Sequence, residues 1–337
     1  MADAANFVID PEWLAHRYAD GSDAFSFVHV DRIEHGMVPF LTDEYIGNHE
    51  IGGEVSADLC LDVTDSGMLH YLFHSAFCGS TMLIRALEQK GVAMGLSEPM
   101  VLNDVVGARR RGAEPQVLAR IADGATRLLG RPFGPGEAVV VKPSNVINPL
   151  AQLLLGLRPQ AKAVFLHAPL ETFLVSVAKK GMHCRIWARE LLAGYLSEGV
   201  LDTMGFAPND FFVQSDLQVA AVGWLAQHHL FEQLATRVGS RLASLDADLM
   251  LADPAIALGA VAAHYGFKLD VTEALAGPAF NRHSKSGEGY STELRQSDYD
   301  RVRAAHDEEI AMVASWAHLV ADNAGINFAA PNPLLTS

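Results

Sequence analysis

Five short apolar runs limit how this chain can fold: Leu69 to His74, Val92 to Leu96, Ala138 to Val141, Ala163 to Leu166, and Arg241 to Leu245. Each is nearly continuous in apolar residues instead of alternating with polar ones, the pattern of a strand covered on both faces of its sheet. Helical patterns fill the intervals, so right-handed crossovers should join the strands. The expected architecture is α/β, with a central, mostly parallel sheet of about five strands and helices on both faces.

The helices announce their ends. Met100 to Gly130 and Asn148 to Leu157 follow the second and third strands, and a longer helical stretch runs from Thr172 to about Leu201. Ser215-Asp216-Leu217-Gln218 has the spacing of a capping box for a helix continuing to Val238, with Gly239 just past its end. Asp253-Pro254 supplies a cap and a first-turn proline for a helix ending near Tyr265, before Gly266. A closing helix from about Ser297 to Asn323 would pack on the sheet or on a second copy of the chain in a homodimer. Residues 1–60 show no clear period and are expected to form an accessory segment. One α/β domain would then cover 61–330, with a helical insert over about 172–238.

Composition removes several classes of partner. Half of the 337 residues are apolar and 19% are charged, as in an ordinary globular protein. A net charge of −15 argues against broad binding to nucleic acid or to an anionic membrane, which basic surfaces grip. A small-molecule partner is expected instead. Lys142 to Arg189 runs the other way, with seven basic residues against one acid, Glu171. Such a zone suits a small anionic ligand, and chance clustering on solvated helices explains it equally well. Three widely spaced cysteines, Cys60, Cys78 and Cys184, with no Cys-x-x-Cys pair, point to reduced thiols in the cytoplasm and no structural zinc. The first residues lack the continuous apolar core of a signal peptide, and no uncharged apolar run reaches the length of a membrane span.

In open α/β sheets, ligands lie outside the carboxyl ends of the strands. The groups that follow the strands here are the Ser75–Thr81 loop, Glu98, Lys142, His167 and Asp246. Taken singly, Glu98 could be a helix-start carboxylate, Lys142 an exposed strand end and His167 a satisfied core histidine. Together they place an anion loop, a carboxylate, a lysine and a histidine at one cleft. The loop passes from an apolar strand through Ser75-Ala76-Phe77-Cys78-Gly79-Ser80-Thr81 into a helix. Backbone N–H groups at a helix start lack intrahelical acceptors and offer a site for phosphate. The Gly-Lys-Ser/Thr ending of nucleotide hydrolases is missing, because Gly79 is followed by Ser80. The charge of a bound phosphate must therefore be met from elsewhere. Cys78 suits a small packing residue in that loop.

Several segments, in order, resemble the P-loop sulfotransferase family, in its bacterial and protein-tyrosine branch. They are Ala76-Phe77-Cys78-Gly79-Ser80-Thr81, Val141-Lys142-Pro143-Ser144-Asn145, Arg158 through Pro169, Trp224, and Leu245 through Pro254, a likeness that spans about residues 69–295. The resemblance implies a fold like that of the P-loop nucleoside-triphosphate hydrolases. It also implies transfer of a sulfuryl group from 3′-phosphoadenosine 5′-phosphosulfate to a hydroxyl or amine, with no metal. Carried over, Ser75, Cys78, Gly79, Ser80 and Thr81 would hold the 5′-phosphate, Glu98 would be the base and Lys142 would serve the leaving group. His167 and Ser176 would meet the 3′-phosphate, and Arg282 and Lys285, in a basic loop from Asn281 to Tyr290, would close over the nucleotide. Two departures bear on activity: Phe77 stands where the family has a loop Lys or Arg, and His167 where it has an Arg. His74 is a further candidate cation. A non-catalytic nucleotide-binding relative and a P-loop kinase remain as alternatives; the latter needs a loop lysine, which is absent, and a magnesium-binding aspartate, whereas Asp246 is better explained as part of the turn before the next helix.

Overall fold

The computed structural model describes residues 4–62, 67–281 and 292–336. Among them, eight strands form two sheets. The segment without a legible period folds into a three-stranded antiparallel sheet, β1 (Trp13–Ala19), β2 (Ala24–His29) and β3 (Ile51–Ser56), in the order β1-β2-β3. The five apolar runs become β4 (Leu69–His74), β5 (Ala93–Ser97), β6 (Ala138–Lys142), β7 (Ala163–His167) and β8 (Leu242–Asp246). They form one sheet in the order β5-β6-β4-β7-β8, with every pairing parallel. The expected α/β class and five-stranded parallel sheet are what the structure shows.

Alternation along each strand sends neighbours to opposite faces. Tyr71, Phe73, Val139, Val141 and Phe165 enter one core. Leu72, Val140, Val164, Leu166 and Leu245 enter the other. Helices Met100–Arg110, Pro115–Leu129 and Ala151–Leu157 supply the first core. Ser80–Ala86, Leu170–Lys179, Pro254–Tyr265 and Asp307–Ala324 supply the second. The N-terminal sheet shares the first core through Trp13, Phe25 and Phe27. Gly124 lets it approach, since a Cβ there would lie 3.0 Å from the Phe25 ring. Buried Arg131 then ties the two parts by donating to the carbonyls of Phe7, Asp10 and Trp13 at 2.7–2.8 Å.

The caps form as spelled. Ser215 Oγ accepts from Gln218 N, and Ser215 N donates back to Gln218 Oε1, opening the helix Asp216–Val238. Asp253 accepts from Ile256 N to open Pro254–Tyr265, which Gly266 ends at φ 90°. Two expected long helices are divided. The stretch from Thr172 is split at Lys180 into Leu170–Lys179 and Gly181–Ser197, because Gly181 adopts φ 64°. The closing helix is split at His306 into Thr292–Ala305 and Asp307–Ala324, the second opening on three acids that suit its dipole. The C-terminal segment lies along β8, with Ser244 N donating to Asn332 O and Leu334 N to Ser244 O. No helix among the described residues is long and apolar enough to cross a membrane.

Candidate functional site

The strand order reverses at β4: the chain leaves it for β5 and β6 on one side and then for β7 and β8 on the other. The carboxyl end of β4 is thus the switch point of the sheet, where a crevice opens between diverging crossovers. Register brings the other strand ends level, pairing Ser97 with Lys142, His74 with Leu166 and His167 with Asp246.

Beyond His74 the loop is pinned by Ser75, whose N donates to Leu166 O and whose Oγ accepts from Ala168 N. Ala76 and Phe77 then take φ values of 71° and 54° before Gly79 at 81°. Left-handed backbone at non-glycine residues is unfavourable and persists only where the surroundings impose it. Gly79 also has a steric reason, because a Cβ there would lie 3.2 Å from Met250 Cε. The helix Ser80–Ala86 follows, with Ser80 and Thr81 buried in its first turn. Cys78 is buried, and burial pushes its thiol above the ordinary range, so it stays protonated as a packing residue.

Phe77 packs its ring against Phe173 and Trp187, at centroid distances of 5.8 and 5.1 Å. Lys180 Nζ sits 4.2 Å from the centre of that ring. A cation therefore stands beside the loop even though the loop carries none, and it comes from the helix junction at Gly181. Nothing in a motif marks Lys180; its only sequence signal is a helix-ending Lys-Lys-Gly. Ser176 lies on the same helix, three residues after Phe173 and four before Lys180, hence on the face those two turn toward Phe77.

The tightest contact of the site joins β5 to β6. Glu98 adopts φ 52° and donates its N–H to Lys142 O at 2.6 Å, while Lys142 Nζ reaches back to Glu98 Oε1 at 2.5 Å. The Lys142 side chain is wholly buried and that of Glu98 is 21% exposed, so Lys142 is no exposed strand end. His74 Nε2 lies 3.8 Å from the same Glu98 oxygen. Its Nδ1 accepts from Ala76 N, so the ring proton is on Nε2, toward Glu98. That bond uses Nδ1 as an acceptor, which a doubly protonated ring could not provide. Phe40 brings its ring to 5.1 Å from Lys142 Nζ. Below the loop, buried Asn148 donates to His74 O and to Gln227 Oε1. No motif or spacing in the chain points to Phe40, Asn148 or Gln227 at this place.

His167 is buried between Phe165 and His228, and burial pushes it below its ordinary value although Asp246 opposes the shift. It is therefore neutral. Asp246 is a helix cap, accepting from Asp248 N and Leu249 N. The basic zone from Lys142 to Arg189 does not converge. Arg158 pairs with Asp123, Lys162 donates to His264 O at the amino end of β7, and Arg185 and Arg189 face Asp216. Lys142 lies beside the strand ends and Lys180 beside the loop. Arg282 and Lys285 lie outside the described residues. No cluster of His, Cys, Asp and Glu among the described residues could hold a metal ion. A shallow concavity lined by Glu232, Thr236, Leu242, His264 and Asn332 lies at the amino end of β8, away from these groups.

No family model matches this chain. No curated protein sequence matches it either. Among solved structures it is similar to the sulfotransferase domain from the Synechococcus PCC 7002 olefin synthase. That match covers 71% of this chain and 88% of the other, at 13% identity and a TM-score of 0.40, which is too loose to carry a role to any residue here.

Proposed function

We propose that this chain is a sulfotransferase, moving a sulfuryl group from 3′-phosphoadenosine 5′-phosphosulfate to the hydroxyl or amine of a small-molecule acceptor. The observation that carries the reading is the Glu98–Lys142 pair, held at the switch point of the sheet beside the strand-loop-helix turn. The sequence motifs resembling the family supply the donor's identity. In the transfer, the acceptor's lone pair forms the new bond to sulfur as its proton passes to a Glu98 oxygen. The bond from sulfur to the 5′-phosphate oxygen breaks, and its electron pair stays on that oxygen, where Lys142 offers a positive charge. Backbone N–H groups of Cys78 to Thr81, with Ser75 at the loop's entry, would hold the 5′-phosphate.

Lys180 takes the place of the family's loop cation in this reading, carried on the Phe77 ring. The 3′-phosphate is assigned to Ser176 and to His167 as a neutral hydrogen-bonding group, with Arg282 and Lys285 supplying its charge. A second reading, a non-catalytic nucleotide binder, is favoured by two observations: Lys142 is fully buried, and Phe77 fills the loop's flank against Phe173 and Trp187. A magnesium-dependent kinase is disfavoured because Asp246 is spent on capping.

Calorimetric titration with 3′,5′-bisphosphoadenosine, 5′-AMP and ATP with magnesium tests this. The expected result is bisphosphate binding at least tenfold tighter than AMP. Tighter, magnesium-dependent ATP binding would turn the assignment to phosphoryl transfer, and silence from all three would end it. Glu98→Gln should then abolish turnover while leaving bisphosphate affinity within about threefold, and wild-type turnover of zero against an acceptor panel would favour the non-catalytic binder.

A further inference from the structure

We propose that Phe40 is a positioning residue of this site, acting through Lys142, so that the N-terminal segment is a working part of the site. The proposal rests on the sulfuryl-transfer reading for what Lys142 does, and on geometry alone for how Lys142 is held. Three hydrogen bonds fasten Pro39-Phe40-Leu41 to the chain on both sides of Glu98. Leu41 N donates to Ser97 O at 2.8 Å, Met100 N donates to Leu41 O at 3.1 Å, and Ser97 Oγ donates to Pro39 O at 2.7 Å. With Pro39 and Leu41 anchored, the half-buried Phe40 between them has little freedom, and its ring sits over the Lys142 ammonium.

A flexible lysine stem needs more than one contact to fix its charge in space. Glu98 supplies a charged contact, which weakens when its carboxylate takes up a proton. An aromatic face attracts a cation through its quadrupole and has no proton to gain or lose. The Phe40 ring therefore keeps its hold on Lys142 at the moment Glu98 becomes neutral. It also covers the buried ammonium on a side that would otherwise admit water.

The test follows Lys142 itself by NMR, in full-length protein labelled with carbon-13 in its lysines. Its side-chain signals are assigned by their loss in Lys142→Arg. In the wild type the Lys142 Hε protons should lie upfield of the other lysines, shifted by the ring. Phe40→Tyr should keep that shift. Phe40→Leu should lose it, and exchange of the ammonium protons with water should speed up by tenfold or more at an unchanged melting temperature. Phe40→Met repeats the comparison should Phe40→Leu not fold. Unchanged Lys142 shift and exchange without the ring would overturn the proposal, as would loss of both in Phe40→Tyr. Adding 3′,5′-bisphosphoadenosine to the same samples separates the two ideas. If the nucleotide leaves the Lys142 signals unmoved while they still depend on Phe40, the sulfotransferase reading fails and the positioning role stands.

Discussion

Glu98 combines a left-handed backbone with a carboxylate that faces two donors, Lys142 Nζ and His74 Nε2. The backbone conformation costs about 1–2 kcal/mol for an L-residue and is offset here by the bond from its N–H to Lys142 O. Charge matters more to this pair than strain does. Lys142 is wholly out of water, so removing the Glu98 charge takes a counter-ion away from a buried cation. Glu98→Gln is therefore expected to destabilise the protein by about 3 kcal/mol, the range found when one partner of a buried pair is lost. Lys142→Met with Glu98→Gln removes both charges and should cost less than the two single changes added together, by about 1–3 kcal/mol. Urea unfolding of the four proteins measures this. Additive effects would mean that the contact contributes nothing to stability, and activity assays of Glu98→Gln belong well below its melting temperature. Turnover gives a second check on Lys142: Lys142→Ala should weaken bisphosphate binding as well as rate, whereas Glu98→Gln spares binding.

At the scale of elements, the parallel sheet was legible because strands buried on both faces must be apolar throughout, and Val139-Val140-Val141 or Val164-Phe165-Leu166 admit few other uses. Legible strand ends also let the sequence place Glu98 and Lys142 side by side at one end of the sheet, where the structure pairs them. The N-terminal sheet was not legible. Its register shifts between Ala15 and Arg17 and between Ser26 and Val28, which breaks the two-residue period, and β3 contains Gly52 and Gly53 and buries only Val55. Phe40 was hidden with it. Lys180 was hidden differently, since its role depends on a ring supplied a hundred residues earlier. Caps were read from four-residue patterns, and their loss is measurable: Ser215→Ala should cost about 1 kcal/mol in urea unfolding. The C-terminal segment along β8 is a second element no pattern announced. Deleting residues 331–337 strips hydrogen bonds from Ser244 and opens the edge of β8. The shortened chain should associate more strongly than the full chain, as read by light scattering against concentration, since an open edge invites pairing with another copy.

Over the whole molecule, buried neutral histidines set the response to acid. Burial lowers His35 to about 3 and His70 to about 4, and pushes His228, His167 and His264 down as well. Below about pH 6.5 the unfolded chain takes up protons that these folded sites refuse, so stability present above that value is lost as pH falls. Each histidine contributes a slope of up to about 1.4 kcal/mol per pH unit until its folded value is reached. Glu88 works against them, since burial raises it to about 7 and its folded form takes up a proton between there and its ordinary value near 4.5. One such group does not balance five. Thermal melts should show a falling midpoint from pH 7 to pH 5, and His35→Leu, which removes one refusing site, should lessen the fall while leaving the pH 7.5 midpoint nearly unchanged. The strand order has a further consequence, for synthesis. As the chain leaves the ribosome, β4 and β5 are the first strands of the parallel sheet to emerge, yet they are not neighbours in the finished sheet, because β6 lies between them. Their facing edges stay open until residues 138–142 have been translated. Lys142 ends that inserted strand and grips Glu98, so one late arrival both fills the gap between β4 and β5 and forms the Glu98–Lys142 pair. A nascent chain stalled before β6 would carry the Ser75–Thr81 loop and Glu98 with nothing yet between them.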